Sequence, residues 1–433
     1  MKLNIMSNFL KIKFRYETFM IVSIPFFMVI SRFMLEVCLL LISISFLNKI
    51  WKEKKYFVFN NYFVIIFLCF YLVLLLSFFN SSEKQNILSI LFYFRFGLYV
   101  IALYYFFKND KLILKYFLYS ALIIILLLFF DSLFQFFMGK NLVGFKPYEV
   151  HRITSFFNEE QVLGSYILRL FPLLLLLANM KNINSKTVNY LTHLAIFISP
   201  IIIVLSGERV ALSLFFLMMS YYLIFFARSK IFRYFYLYGL ILILSIGGFL
   251  YSSNLYFDRY ITQTYKSIFQ KDYAQNNLFL PEKYKDVDFY FLSAQHQNFI
   301  FTGMNIFKEN KIFGTGPKSY RHVCGNEKYK INGLSCNTHP HNYYLQLLIE
   351  TGLVGLIFVI LIYFYVIYRS CFNFIRLLKN QYFDLSETII LGFYFVQLWP
   401  LMQHGSIFNN WNSIMLFLPM SVLLVLKKTP IKK

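Results

Sequence analysis

Apolar runs recur from one end of the chain to the other, and nothing constrains its fold more. FVIIFLCFYLVLLLSFF (63–79) contains no charge at all. A bilayer core needs about 20 such residues in helical form. In lipid every backbone N–H and C=O must be satisfied within the segment, so a chain that spans repeatedly is a helix bundle or a closed barrel. Continuous apolar runs, rather than alternating ones, select helices. The residues are 58% hydrophobic and only 14% charged, against about 25% charged in a soluble domain. The sequence therefore predicts an all-α polytopic membrane protein. Twelve spans are expected, at about 16–31, 33–48, 60–79, 87–107, 113–136, 161–178, 190–205, 209–227, 235–252, 341–368, 386–402 and 411–426.

The formal net charge of +22 invites a nucleic-acid partner. Its placement argues against one. With the N-terminus inside, the inner segments carry 23 lysines and arginines, from Lys2 to Lys433, and the short outer loops carry six: Arg32, Lys84, Lys140, Lys146, Arg152 and Arg209. That asymmetry is the positive-inside pattern, with both termini cytoplasmic. Lys11, Lys13 and Arg15 precede the first run without a small-residue cleavage site, so that span reads as a retained anchor.

The connections are short except one, which divides the chain into helices 1–9 (1–252), an outer cap loop (253–340) and helices 10–12 with a basic tail (341–433). No internal repeat is apparent. The loop contains a helical pattern, NFIFTGMNIFKEN (298–310), and a glycine turn, FGTGPKSY (313–320). Cys324 and Cys336 both lie in it. On an oxidising face they are disulfide candidates. The alternative, a metal site with His322, His339 or His341, lacks a tight ligand quartet, and no metal or other cofactor is expected. Arg95 and Arg169 fall inside expected spans, where a charge faces the bundle interior or a water-filled cavity.

Two stretches can carry chemistry. SGERVAL (206–212) is the tight outer turn between the seventh and eighth spans, with Glu208 beside Arg209. A guanidinium there is suited to bidentate phosphate binding, although an interfacial arginine also caps helices and binds headgroups. CNTHPHNYYLQLLIETGLVGL (336–356) places two histidines at the lip of the tenth span. Pro340 suits a first helical turn, with Thr338 or His339 as the cap. His341 and Asn342 would then sit among free N–H groups that favour an anion. Gly352, 11 residues on, would share the face of His341 at 3.6 residues per turn. Gly352 and Gly355 would let neighbouring helices pack closely. Taken alone, His341 could equally be an ordinary interfacial histidine.

The spacing His341-Asn342, Gly352, Gly355 resembles the H-N-x9-G-x2-G signature of the O-antigen ligase and O-antigen polymerase superfamily. Other segments fall in the family's order: RITSFFNEEQVLGSYI (152–167), SGERVAL, and NIFKENKIFGTGPKSYR (305–321). The resemblance covers about 150–360. It implies a bacterial inner-membrane enzyme with one large periplasmic loop late in the chain and a periplasmic active site. The implied reaction is glycan transfer from undecaprenyl diphosphate to a sugar hydroxyl, without metal and with inversion at the anomeric carbon. The acceptor is lipid A core for a ligase, the reading favoured here, or another lipid-linked repeat for a polymerase. In this reading His341 is the base or acceptor-orienting group, supported by Asn342 and His339. Arg209 binds the leaving diphosphate, helped by His296, Arg321 and Arg152. One departure stands out: where the family commonly has an arginine at the start of the loop helix, this chain has His296 in SAQHQNFIF. A flippase or transporter for the same lipid-linked glycan is the competing class. It would place ionisable groups near the bilayer midplane, whereas these cluster at outer helix ends.

Overall fold

A computed structural model of the chain describes residues 15–81, 87–147, 149, 152–180, 185–226, 248, 252–269, 293–333 and 335–426. Its main helices are α1 (Tyr16–Ile30), α2 (Arg32–Glu53), α3 (Tyr62–Asn80), α4 (Phe94–Asn109), α5 (Lys111–Met138), α6 (Leu163–Asn179), α7 (Lys186–Leu205), α8 (Arg209–Phe226), α9 (Ala294–Glu309), α10 (Tyr343–Leu378), α11 (Leu385–Gln397) and α12 (Asn410–Leu426). The starts follow from local chemistry. Ser31, Asn61, Asp110, Ser185, Ser293, Asn342 and Asp384 each accept a backbone N–H of the following first turn, as short polar side chains do at helix N-caps. α5 ends at Gly139 with φ 68°, the left-handed C-terminal conformation that glycine adopts without strain.

Among the described residues seven helices are long and apolar enough to cross a membrane: α2, α3, Ile87–Asn109 (a short turn leading into α4), α5, α7, α8 and α10. Four shorter apolar helices, α1, α6, α11 and α12, stand beside them. The all-helical membrane class holds among the described residues. Of the twelve expected spans, seven coincide with these long helices and four with the shorter ones, while 235–252 lies almost wholly outside the described residues. α11 shows the physical reason for a shorter helix. Its 13 residues reach about 20 Å at 1.5 Å per residue, and Pro400, just beyond, disfavours helix in the residue before it. Hydropathy carried the expected span to 402, but the backbone leaves the helix at Leu398.

α6 is the hub. It packs on α5, α7, α8 and α11, and 15 of its 17 residues are buried. α10 packs on α3 and α11, and α12 on α4 and α11.

One end of this bundle gathers the segments expected outside. Arg32 pairs with Glu160. Ile153 N donates to Leu205 O at 3.1 Å, and His404 N to His341 O at 2.7 Å. Ser81 Oγ donates to Thr315 O. The segment 139–157 is held by two buried polar residues of α5. Asp131 accepts from Leu142 N and Ser155 Oγ, and Gln135 accepts from Thr154 N and Ser155 N.

The late loop is not a detached cap. α10 breaks at Gly352, with φ 65° and ψ −164°, and the turn around residues 311–316 enters the break. Leu353 N donates to Lys311 O, Thr315 N to Ile349 O, and Gly316 N to Glu350 O. Ser77 Oγ of α3 lies 2.5 and 2.6 Å from the Phe313 and Glu350 carbonyl oxygens. Ile306, Tyr320 and Cys324 of the loop bury a second small core with Leu345 and Ile349 of α10. Cys324 and Cys336 are joined by a disulfide across 12 residues.

Candidate active site

Asn342 opens α10. Its Oδ1 accepts from Leu345 N at 3.0 Å, while Nδ2 donates to Pro400 O at 2.8 Å and Met402 O at 3.2 Å. The cap is therefore Asn342, not Thr338 or His339, and it ties α10 to the turn after α11. His341 precedes the helix with φ 56°, so it projects from a left-handed residue rather than from the first turn. Its ring stacks on Phe299 of α9, with centroids 5.5 Å apart at 24°, and lies 4.1 Å from His339 and 5.8 Å from His296. Three histidine rings thus converge from α9 and the α10 approach.

Asn337 was not singled out from sequence, yet its Nδ2 is 2.9 Å from His341 Nε2. Asn337 Oδ1 is already occupied by Thr338 N at 2.7 Å. The amide therefore donates to His341, whose Nε2 carries the lone pair in this arrangement. Burial holds the His341 ring below the ordinary imidazole range, keeping the neutral form at pH 7. The local sign of its presence is a carboxamide four residues ahead of His341, visible only once the backbone turn is known.

His296 sits in the first turn of α9. Its Nδ1 is 2.6 Å from Ser293 Oγ and 3.2 Å from Gln403 Nε2. Burial, then the nearby His341 and Arg209 charges, push its ring down to about 4. His296 is thus neutral at pH 7 and does not stand in for a loop arginine as a fixed cation. His339 is pushed to about 3 by burial and by His341 and Arg321, partly offset by the His404 backbone. Its Nε2 is buried without a well-formed hydrogen bond.

Arg209 starts α8, where its Nη1 lies 3.3 Å from Thr264 Oγ1. Arg259 donates from Nε to Gly207 O at 3.2 Å. Arg152 is half-buried and repelled by Arg259, while Glu149 and Glu208 attract it. These three guanidinium groups surround one turn. Glu208 does not face them as a ligand would. Its carboxylate accepts from Gly164 N at 2.6 Å, Ser165 N at 3.2 Å and Ser165 Oγ at 2.5 Å, and so caps α6, whose own Val162 cap position offers no side-chain acceptor. Burial raises the Glu208 carboxyl above its usual range, against those hydrogen bonds.

The two motif glycines are not packing surfaces for neighbouring helices. A Cβ on Gly352 would lie 2.7 Å from Phe313 N and closer still to the Ile312 carbonyl. On Gly314 (φ 67°) it would lie 2.5 Å from Glu350 C and Thr351 N. The Gly-x-Gly turn and the helix glycine thus exist for one another. Because α10 is discontinuous there, the 3.6-residue register from His341 does not carry through to Gly352. Gly355 makes room for the Thr351 side chain. Arg321 lines a cavity whose wall does not include Arg209. Arg169 is inside the bundle, with Nε donating to Gln397 Oε1 at 3.0 Å and its guanidinium over Trp411. Arg95 pairs with Glu36 at 3.3 Å.

These parts form a row of neighbours: the His341 ring adjoins those of His296 and His339, His296 feels Arg209, and His339 feels Arg321. Residues 194–360 match the family model described as O-antigen ligase. The resemblance read from the motifs is confirmed over that stretch, which runs from α7 into α10 and holds Arg209, His296, Arg321, His341, Gly352 and Gly355. The O-antigen ligase match supports a ligase- or polymerase-type enzyme acting on lipid-linked glycan. Arg152 and the turn 398–409, which also shape the row, lie outside it. A search of curated proteins gives no match. Among the described residues no group of three or more His, Cys, Asp or Glu side chains is arranged to hold a metal ion.

One outcome follows for stability. His404 is buried, its ring stacked on Tyr343 with centroids 4.4 Å apart and Nε2–H donating to Trp399 O at 3.2 Å. Burial pushes its ring down to about 4. The unfolded chain binds this proton below about pH 6.5 and the folded chain does not, so stability is present above that pH and is lost as pH falls toward 4. Each such histidine contributes a slope of about 1.4 kcal/mol per pH unit in that window. Melting temperature measured between pH 7 and 4.5 should fall steadily, and His404→Phe should flatten the fall.

Proposed function

We propose that the protein transfers a glycan from undecaprenyl diphosphate to a sugar hydroxyl at the outer face of a bacterial inner membrane, as an O-antigen ligase with lipid A core as acceptor. The observation that carries this reading is the neutral His341 ring in contact with His296 and His339, two rings that feel the Arg209 and Arg321 charges, where the outer loops meet. Chain division at 252 and 340 fits it: α1–α8 with the following span hold Arg209, the loop brings His296, and α10 brings His341. Both termini are cytoplasmic in this orientation.

The acceptor hydroxyl oxygen attacks the anomeric carbon and its proton passes to His341 Nε2, which gives up its hydrogen bond from Asn337 Nδ2 as the hydroxyl arrives. The bond from that carbon to the diphosphate oxygen breaks, and its electron pair leaves with the diphosphate. The displacement is direct, so the anomeric configuration inverts. Arg209 stabilises the charge that develops on the leaving oxygen, with Arg259 and Arg152 deepening the local potential. His296 takes up a proton when the diphosphate arrives, since an adjacent anion favours its charged form.

Purified protein supplied with lipid-linked glycan and lipid A core should yield capped core. Growth of longer lipid-linked chains without added core would assign the polymerase reading instead, and no new glycosidic bond in either arm would reject both. Movement of intact donor across sealed vesicles without bond formation would favour a carrier.

A further inference from the structure

A cavity of about 480 Å³ opens beside His339, and Arg209 is not in its wall. Its wall includes Glu36, Lys318, Arg321, His339, Trp411 and Asn412. Two neighbouring ion pairs there are self-contained: Arg32 with Glu160, and Arg95 with Glu36. Lys318 and Arg321 are different. Neither side chain makes a hydrogen bond or ion pair among the described residues.

The protein holds these two cations in place deliberately. Lys318 has φ 63°, a left-handed conformation that costs a lysine about 1–2 kcal/mol. Buried Glu350 of α10 keeps it there, accepting from Lys318 N at 2.9 Å and Tyr320 N at 3.1 Å. Gln346 Nε2 supports the same carboxylate at 3.0 Å. Burial and the like charges of Arg321 and Arg95 push the Lys318 amine below its usual range, Glu350 and Glu36 notwithstanding. A half-buried cation without a contact partner is costly, and an arriving anion would remove that cost. Two further polar atoms of the same wall are buried without a well-formed hydrogen bond, Glu36 Oε1 and His339 Nε2. A carboxylate oxygen accepts from hydroxyls, and the His339 ring lies 4.1 Å from that of His341. The Trp411 indole is fixed by its Nε1–H to Met28 O at 2.9 Å and offers a flat apolar wall to a sugar ring's C–H face.

Anion-pairing cations, a hydroxyl acceptor and an aromatic wall together describe one ligand chemistry. We infer that this cavity binds the acceptor, a saccharide bearing a phosphate, with Lys318 and Arg321 on the phosphate and Glu36 and Trp411 on the sugar. This deepens the proposed transfer and rests on it. In-line displacement needs the nucleophile opposite the leaving group; the cavity reaches His341 through His339, whose ring is 4.1 Å away, and Arg209 is not in its wall. Arg321 therefore serves the acceptor rather than the leaving diphosphate.

The test uses the full chain in lipid nanodiscs. The probes are core oligosaccharide released from lipid A, the same oligosaccharide after phosphatase treatment, and undecaprenyl diphosphate. Lys318→Asn is chosen because asparagine tolerates the left-handed backbone, and Arg321→Gln accompanies it. Each should weaken binding of the phosphorylated oligosaccharide about tenfold and raise the acceptor KM by a similar factor. Binding of undecaprenyl diphosphate should be unchanged, and Lys318→Arg should restore acceptor binding. Equal binding of treated and untreated oligosaccharide by the wild type would overturn the inference. So would loss of undecaprenyl diphosphate binding in these variants, which would assign the cavity to the donor, or to a second lipid-linked repeat if only added donor competes. If the wild type forms no glycosidic bond, the transfer reading fails while the binding result still decides the cavity.

Discussion

Replacing Gly352 with alanine should leave little folded protein in the membrane. The residue combines φ 65° with ψ −164°, a region open essentially to glycine and costing other residues about 1–3 kcal/mol. Strain is the smaller part. The new Cβ would overlap the Ile312 carbonyl and approach Phe313 N, and both are backbone atoms that a rotamer change cannot move. Relief would require withdrawing the 311–316 turn, losing the hydrogen bonds of Thr315 N and Gly316 N to α10. Each buried group left unpaired costs about 1–3 kcal/mol, so the total passes the roughly 4 kcal/mol that marks exceptional single substitutions. Gly314→Ala should behave alike, from the other side of the same contact. Gly355→Ala is the contrast, because it meets only the Thr351 side chain. Size-exclusion profiles in detergent and melting temperature give the readout. A Gly352→Ala protein with wild-type yield and melting temperature would refute the inserted-turn account.

That contact also marks the limit of what the sequence could say. The spacing from His341 to Gly352 was visible, but periodicity assumes one continuous helix, and hydropathy is blind to φ. The structure gives Gly352 a different reason: it admits the 311–316 turn rather than a neighbouring helix. Asn342 was read as an anion-facing first-turn residue, because a cap and a first-turn residue differ by a single position. Glu208 followed Arg209 into a supporting role by adjacency, whereas its carboxylate reaches back across 43 and 44 residues to α6. Long-range partners of this kind leave no local pattern. Lys318 was hidden by abundance: among 42 lysines and arginines, only the backbone conformation and the Glu350 clamp distinguish it. The helical class was legible because lipid permits few alternatives. The short helix α11 was misjudged in length, 386–402 expected against Leu385–Gln397, because its end is set by the turn that meets Asn342.

His341→Ala should reduce glycan transfer about 10²–10⁴-fold, the range for loss of a general base. The protein should still fold, since the ring contributes stacking on Phe299 and one side-chain hydrogen bond, from Asn337. His341→Gln keeps a polar acceptor near Asn337 but cannot take a proton at neutral pH, and should be nearly as slow. The loss should fall on kcat, with donor KM little changed. Arg209→Lys should act oppositely on the two constants, weakening donor binding because a point charge replaces the bidentate fork. The pH profile separates a base from a merely structural ring. Burial lowers the His341 pKa from its ordinary value, so the basic form persists through neutral pH. Activity should be flat there and fall only as pH drops through the lowered pKa. Bound diphosphate raises that pKa by favouring the cation, so the acid limb for kcat should lie at higher pH than the limb for free-enzyme binding. Full activity in His341→Gln, or an acid limb that survives in His341→Gln unshifted, would remove the base from this site and turn attention to Asn337 and the neighbouring His339.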